Sequence, residues 1–318
     1  MNIFKSLFSS KENTNKKEEK QQEKEFDILK FDGMRAQRLG RPDYAEKCFI
    51  KALELQKDFE TMGYLAQVYV QTRLFEKAQK LLLQMSELEP THLHTWLNLA
   101  SVCYLIEDYS GTMQAAQHAL KLQPENSAAY LLLAKAAHRN GDLLMCIAHL
   151  TKAIMIEEEN IEARLLRAEV LMAMHQPQEA QSDIEYVLNN DQENEAALLL
   201  RGLMSQQANN IQEAESDFKQ ILALNPFNEQ AYICLSSLIS QLGRTEEAIS
   251  ILNDGIEQNP HAAAMYKERG RIYMSIGKNE LAAEDLKRSL ELSPEQIEQL
   301  SGSYGNQPLV QQSNVLGL

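Results

Sequence analysis

Few side chains in this sequence have the spacing that metal or nucleophilic chemistry needs. His92 and His94 are two residues apart at the start of a predicted helix, whereas two ligands on one helical face stand four apart. Cys146 and His149 share a helix, but Cys146 occupies a position that calls for a small buried residue. No glycine-rich phosphate loop or Ser–His–Asp grouping stands out. We therefore expect a protein that is not an enzyme and that uses no metal or cofactor.

A small basic cluster is the other chemical feature of the chain. Lys135, His138 and Arg139 lie close together in an otherwise acidic protein. They could receive acidic side chains or a terminal carboxylate of a partner. Alternatively they form ordinary ion pairs with nearby glutamates, which are common and weak. The sequence leaves both interpretations open.

Charge and cysteine content limit the kinds of partner and compartment. The formal net charge of −14 repels phosphate backbones, so we expect no nucleic-acid partner. The four cysteines are far apart in the chain, which predicts buried free thiols in a reducing compartment and a cytoplasmic location. No stretch of the sequence approaches the ~20 apolar residues that span a bilayer.

The sequence repeats itself eight times with a period of about 34 residues. The units start at Phe26, Phe59, Leu93, Ser127, Ile161, Glu195, Glu229 and Ala263. The eighth position of each unit is small: Gly33, Ala66, Ala100, Ala134, Ala168, Gly202, Ser236 and Gly270. The twentieth is small as well: Ala45, Ala78, Thr112, Cys146, Ala180, Ala214, Ala248 and Ala282. Small residues are needed there because paired helix axes only about 8–10 Å apart leave no room for larger side chains.

This pattern resembles the tetratricopeptide repeat family, whose unit is a helix–turn–helix with small residues at these two positions and a proline near its end. The third unit carries the family's tryptophan in the run Trp96–Ala100. The closing prolines are Pro90, Pro124, Pro226, Pro260 and Pro294. The resemblance implies an all-α fold, an α-solenoid in which the units build a right-handed superhelix.

The chain departs from the family pattern at two positions. Position 7, usually leucine, is arginine in three units: Arg167, Arg201 and Arg269. We expect each arginine stem to pack while its charged head reaches water. The glycine of the turn within the unit is replaced in four units, by Arg73, Glu107, His175 and Asn209. We expect weaker turns there, with the register intact.

The resemblance also implies a concave trough, lined by the first helix of each unit, in which a partner segment would bind. The candidate binding residues are Leu97, Asn98, Ser101, Leu131, Lys135, His138, Arg139, Leu165, Glu169, Leu199, Leu203, Ile233 and Ser237. Leucines at the fifth and sixth positions would give the trough an exposed apolar stripe. The alternative is that they fill the stack between neighbouring repeats.

Three segments follow from the repeat boundaries. Residues 1–25 are predicted to be a charged flexible tail with a short amphipathic start, residues 26–296 the eight repeats, and residues 297–318 a short capping helix with a flexible tail. Ile3, Phe4, Leu7 and Phe8 would share one helical face. Residues 1–8 could therefore make weak peripheral membrane contact, or could simply be a disordered start.

These features favour a non-enzymatic scaffold or adaptor that binds a peptide or helix of another protein in its concave trough. The alternative function is that of a structural subunit, at a membrane surface or away from one, that assembles through its convex face or its termini.

Overall fold

The computed structural model describes the backbone of residues 3–293 and the side chains of residues 20–293. Within that range the chain forms sixteen α-helices and no strand. In chain order they are α1 (Ile3–Arg38), α2 (Pro42–Leu55), α3 (Phe59–Gln71), α4 (Phe75–Leu88), α5 (Leu93–Leu105), α6 (Tyr109–Leu122), α7 (Ser127–Arg139), α8 (Leu143–Ile156), α9 (Ile161–Ala173), α10 (Pro177–Asn190), α11 (Glu195–Gln207), α12 (Ile211–Leu224), α13 (Glu229–Gln241), α14 (Thr245–Gln258), α15 (Ala263–Ser275) and α16 (Asn279–Leu292).

Each odd-numbered helix packs with the even-numbered helix that follows it, so the fold is built from helical hairpins. We call the two helices of a hairpin its A helix and its B helix. The chain divides into two compact units, residues 1–158 and 159–318, and each contains four hairpins. Within each unit, the B helix of one hairpin contacts the A helix of the next. This arrangement confirms the predicted all-α fold and α-solenoid.

From the second repeat onwards the A helices agree with the predicted repeat register. Each begins at the predicted first residue of its repeat: α3, α5, α7, α9, α11, α13 and α15. Most of these starts are fixed by an N-cap side chain, which accepts a hydrogen bond from the backbone N–H three residues later. The residues that cap in this way are Asp58, Asn126, Asn160, Asn194 and Asn228.

The first repeat begins differently. Helix α1 starts at Ile3, so the predicted boundary between residues 25 and 26 lies within one continuous helix. The segment upstream of Phe26 is rich in Glu, Lys and Gln and has no Gly or Pro, a composition that favours helix even without a core to pack on. The side chains of the predicted amphipathic start, residues 1–8, and the predicted C-terminal cap and tail, residues 297–318, lie outside the described residues.

The turn between the A and B helices has the same backbone conformation in all eight hairpins. Its fifteenth-position residue has a positive φ of 58–77°. Glycine occupies this position at Gly40, Gly141, Gly243 and Gly277. The other four hairpins place Arg73, Glu107, His175 and Asn209 there, the residues that replace the expected glycine. The turn geometry is therefore kept without glycine, at a cost in backbone strain.

Small and large side chains are matched across each hairpin. A Cβ at Gly33 would lie 2.5 Å from Cε1 of Phe49, and one at Gly202 would lie 2.5 Å from Cε1 of Phe218. Both phenylalanines are fully buried on the B helix. In these two hairpins the phenylalanine ring takes the space that a methyl group at the eighth position would need.

The position-7 arginines are partly buried and are not simply directed to water as the sequence suggested. Each guanidinium instead forms a two-point ion pair with a buried aspartate on the B helix of its own hairpin. The pairs are Arg167–Asp183, Arg201–Asp217 and Arg269–Asp285. In the first pair, Arg164 also donates from Nη1 to Asp183 Oδ1 at 2.9 Å and stacks on Tyr186.

Among the described residues, no helix combines the length and the apolar character that crossing a bilayer requires.

Candidate partner-binding groove

A groove runs between α3 and α5, the A helices of the second and third repeats. It consists of two adjoining cavities of about 290 and 300 Å³. Both cavities are lined by Ala66, Gln67, Leu82 and Asn98, so they form one continuous depression, which we call the α3–α5 groove. It lies on the A-helix surface that the sequence predicts to be the binding face.

The α3–α5 groove is open because Gly63 has no side chain at the fifth position of its repeat. A Cβ there would lie 3.7 Å from Cε of Met85, with no closer contact. Met85 and Leu82 are buried side chains of α4 and form an apolar floor. Four other repeats carry leucine at the same position: Leu97, Leu131, Leu165 and Leu199.

The walls of the groove carry exposed neutral polar side chains beside two exposed apolar residues, Val70 and Leu105. Gln67 and Gln71 of α3 face Asn98 and Ser101 of α5, and all four are exposed. The hydroxyl of Ser101 donates to a backbone carbonyl of its own helix. Each amide side chain offers both donors and acceptors, which is the requirement for pairing with a peptide backbone.

A fixed charge cluster lies at one end of the groove. Glu60 accepts hydrogen bonds from Lys30 Nζ at 2.6 Å and from the Tyr64 hydroxyl at 2.8 Å. These bonds, the one from Lys30 first, lower the pKa of Glu60. Lys30 also donates to Asp58 at 2.9 Å, so it links the first and second repeats. The acidic groups at this end are therefore already paired within the protein.

The two histidines that the sequence singled out lie at the same end and belong to an aromatic cluster. His92 Nδ1 is 2.8 Å from Thr95 Oγ1, and its ring packs edge-on against Phe59 with centroids 5.0 Å apart. His94 lies beyond it, with ring centroids 6.0 Å apart. Among the described side chains, no group of three or more His, Cys, Asp or Glu residues is placed to bind a metal ion.

Comparison with known sequences decides the family. Residues 165–229 and 205–272 match two sequence profiles of the tetratricopeptide repeat, and residues 127–160 and 263–296 match a third. The chain belongs to the tetratricopeptide repeat family. A tetratricopeptide repeat-containing protein of Methanocaldococcus jannaschii, MJ1428, is 29% identical over 105 residues. That match covers 33% of this chain and only 18% of the relative.

Solved structures share the tetratricopeptide fold at low sequence identity. A tetratricopeptide repeat protein from Parabacteroides merdae superposes with a TM-score of 0.66 at 18% identity, covering 76% of this chain and 96% of that one. The Cut9–Hcn1 hetero-tetramer of the APC/C gives 0.59 at 17% identity, covering 86% of this chain and 54% of that one. MamA from Desulfovibrio magneticus RS-1 gives 0.50 at 17% identity, covering 54% and 97%.

The tetratricopeptide register places the predicted binding residues in three environments. Asn98 and Ser101 are exposed and line the α3–α5 groove, while Leu97 beside them is half-buried. Leu203, Ile233 and Ser237 of the later repeats are also half-buried. The remaining apolar and acidic candidates are buried: Leu131, Leu165, Glu169 and Leu199.

The expectation of an exposed leucine stripe therefore has to be corrected. Most successive A helices contact one another within each unit: α1 with α3, α5 with α7, α9 with α11, α11 with α13, and α13 with α15. A leucine at the fifth position lies on the flank of its helix that this contact covers, so the alternative of a filled stack describes Leu131 and Leu199. The glycine at this position in the second tetratricopeptide repeat leaves the space open.

The basic cluster of the fourth repeat has partners within the protein. Arg139 Nε donates to the Tyr104 hydroxyl at 3.2 Å, and Lys135 Nζ lies 5.9 Å from the centre of the same ring. His138 is half-buried, and burial, with Arg139 nearby, lowers its pKa. These contacts with Tyr104 favour a structural role for the cluster over partner binding.

The groove residues Gly63, Gln67 and Gln71 were not among the candidates, because the predicted trough began only at the third repeat. The signal was present in the repeat alignment: glycine stands at a fifth position where the other repeats carry lysine, leucine or isoleucine. The four cysteines are buried free thiols, as predicted. Burial raises the pKa of Cys234 to about 12 and so makes its thiol unreactive.

Proposed function

We propose that this protein is a non-enzymatic scaffold that binds an extended segment of a partner protein in the α3–α5 groove. The observation that carries the proposal is the gap left by Gly63, which exposes an apolar floor between α3 and α5. One of the structures with this fold is a hetero-tetramer, Cut9–Hcn1, and this supports a role in protein assembly. The buried free thiols support a reducing compartment such as the cytoplasm.

The lining of the groove favours an extended segment over a helix. A helix satisfies its own backbone N–H and C=O groups, whereas an extended chain leaves them available. Gln67, Gln71 and Asn98 present amides that can pair with such groups on both sides of the groove. The floor at Leu82 and Met85 would receive one apolar side chain of the segment. The segment would be neutral, since Glu60 is already paired with Lys30.

Filling the groove from within tests the proposal. Gly63→Leu would place in the second repeat the side chain that four other repeats already carry, and the leucine would occupy the space above Met85. Gly63→Ala is the matched control, since its Cβ fits without filling the groove. Affinity capture from the native cell extract would compare both variants with the wild type. We expect the wild type and Gly63→Ala to retain the same partner and Gly63→Leu to lose it.

The folded state of both variants would be checked by circular dichroism and thermal melting. Both should melt at or above the wild-type temperature, because replacing a helical glycine removes backbone entropy from the unfolded chain. Equal capture of every partner by folded Gly63→Leu would refute binding in the groove.

A further inference from the structure

The third residue of each repeat marks a helix surface that is covered in the later repeats but exposed on α1. In the later repeats of each unit this residue is fully buried at the contact with the preceding hairpin. Met265 shows the contact directly: its sulfur would lie 2.6 Å from a Cβ built at Gly255 of α14. Thr61, Thr95 and Ala231 are fully buried in the same position. In the first repeat the third residue is Ile28, and it is 61% exposed.

Ile28 is part of an exposed stripe along α1. Phe31 and Leu39 are 64% and 66% exposed, and Asp32 and Arg35 between them are also exposed. The spacing of three, four and seven residues from Ile28 puts Phe31, Asp32 and Arg35 on one side of the helix, and Leu39 directly follows the last helical residue, Arg38. We call this set the α1 stripe.

The opposite sides of α1 are engaged within the protein. Gly33 lies against Phe49 of α2, and Lys30 reaches Asp58 at the start of α3. The apolar residues of the α1 stripe therefore face away from the neighbouring hairpin, and Asp32 lies at the edge of the stripe near Tyr44 and Cys48 of α2. An exposed apolar surface of this kind usually marks an interaction site.

We propose that the α1 stripe is a homodimer interface in which α1 pairs antiparallel with α1 of a second copy. A two-fold axis passing near Gly33 and Met34 would place Ile28 of each copy opposite Leu39 of the other. The same axis would place Asp32 of each copy opposite Arg35 of the other, which gives two Asp32–Arg35 pairs per dimer. Charge complementarity selects this occupant, because the opposite charges lie at equal distances on either side of one point, as an isologous interface requires.

The energetic roles of the two parts of the stripe differ. The three apolar residues lose water-exposed surface on pairing, which supplies the attraction. Each copy carries a formal net charge of −14, so two copies repel at long range. The Asp32–Arg35 pairs fix the antiparallel register against this repulsion, because a parallel pairing would bring like charges together.

Charge reversal at the stripe tests the proposal on the full-length chain by sedimentation equilibrium. We expect the wild type to form a dimer. Asp32→Arg and Arg35→Asp should each weaken dimerisation at least about tenfold, because each places two like-charged pairs in the interface. An equimolar mixture of these two variants should recover the dimer, since every pair in the mixed dimer again joins opposite charges. The double variant Asp32→Arg with Arg35→Asp should recover it as well.

Leu144→Asp is the matched control, because Leu144 is similarly exposed in the same unit but lies outside the stripe. It should leave the dimer unchanged. Asp32 and Arg35 are exposed, so circular dichroism should show every variant folded. A wild-type monomer, a dimer that survives both single reversals, a mixture that stays monomeric, or oligomers that grow beyond two copies would each overturn the proposal. The test does not involve the α3–α5 groove, so it can fail while the proposed function stands.

Discussion

Arg201 and Asp217 form a two-point ion pair that joins the A and B helices of one hairpin. Nε donates to Oδ2 at 2.9 Å and Nη2 donates to Oδ1 at 2.6 Å. The two residues are sixteen apart in the chain, and the same spacing and geometry recur in Arg167–Asp183 and Arg269–Asp285. Because the same ion pair recurs in three hairpins, it is a regular structural feature of the C-terminal unit.

The seventh repeat shows that the pair is exchanged as a unit. Its corresponding residues are Leu235 and Ile251, both apolar. A buried charge is destabilising unless its partner is present, whereas two apolar residues simply pack against each other. Neither an arginine with isoleucine nor a leucine with aspartate occurs in the repeats of the C-terminal unit.

Replacing one member of the Arg201–Asp217 pair should destabilise the protein, whereas replacing both should leave its stability nearly unchanged. Arg201→Leu leaves Asp217, which is 2% exposed, without its cation and should lower the free energy of unfolding by about 3 kcal/mol. Arg201→Leu with Asp217→Ile copies the seventh repeat and should return to within about 1 kcal/mol of the wild type. Urea denaturation measures both. A double variant as unstable as the single one would contradict this account.

The turn residues with positive φ predict stabilising substitutions. Glu107 has a φ of 62°, a conformation that costs a residue with a Cβ about 1 kcal/mol, so Glu107→Gly should raise stability by up to that amount. Asn209→Gly is the matched control and should gain less, because asparagine adopts this conformation more readily. Thermal melts of the two variants give the comparison. A loss of stability in Glu107→Gly would show that its side chain matters more than the turn.

Because Gly202 fits closely against Phe218, we expect that adding a methyl group at Gly202 destabilises the protein. Gly202→Ala would bring its Cβ within 2.5 Å of the ring, and overpacking of this kind costs about 1–3 kcal/mol. Phe218→Leu creates space at the same point and should reduce the cost of Gly202→Ala when the two are combined. A double-mutant cycle by urea denaturation measures this coupling, and additive effects would exclude the steric explanation.

The bridge from Lys30 to Asp58 and Glu60 predicts an acid-dependent contact between the first two repeats. Lys30 and Tyr64 lower the pKa of Glu60. Burial would raise the pKa of Asp58, but hydrogen bonds from Thr61 and Lys30 outweigh burial and hold that pKa below its usual value. Carboxyl groups with a lowered folded-state pKa stabilise the protein above about pH 4, and this stability is lost as the pH falls through the folded-state values.

Lys30→Met should therefore destabilise the protein at neutral pH, with the difference from the wild type shrinking below about pH 4. Lys77→Met is the control, because Lys77 forms an exposed pair with Glu46 and should contribute little. Thermal melts of the three proteins across this pH range make the measurement. A difference that stays constant down to low pH would mean that packing of the Lys30 stem, rather than its charge, is responsible.

The sequence alone determined the fold, because each level of pattern agrees with the next. A period of about 34 residues with small side chains at two fixed positions permits one close helix packing, and Asn and Asp caps set where five of the A helices start. Even the four non-glycine turn residues were located by counting. These features are local or repeat at fixed intervals, so they can be found without coordinates.

Only the tertiary structure decided which surfaces are open. Leu131 and Gly63 occupy the same repeat position, yet one fills the stack and the other opens a groove, because exposure depends on what the neighbouring hairpins contribute. The arginines of position 7 likewise looked solvent-directed until their aspartates, sixteen residues away, were found beside them. Burial and ion pairing are set by contacts between helices, and the repeat pattern gives the spacing of those helices without giving the occupants of the space between them.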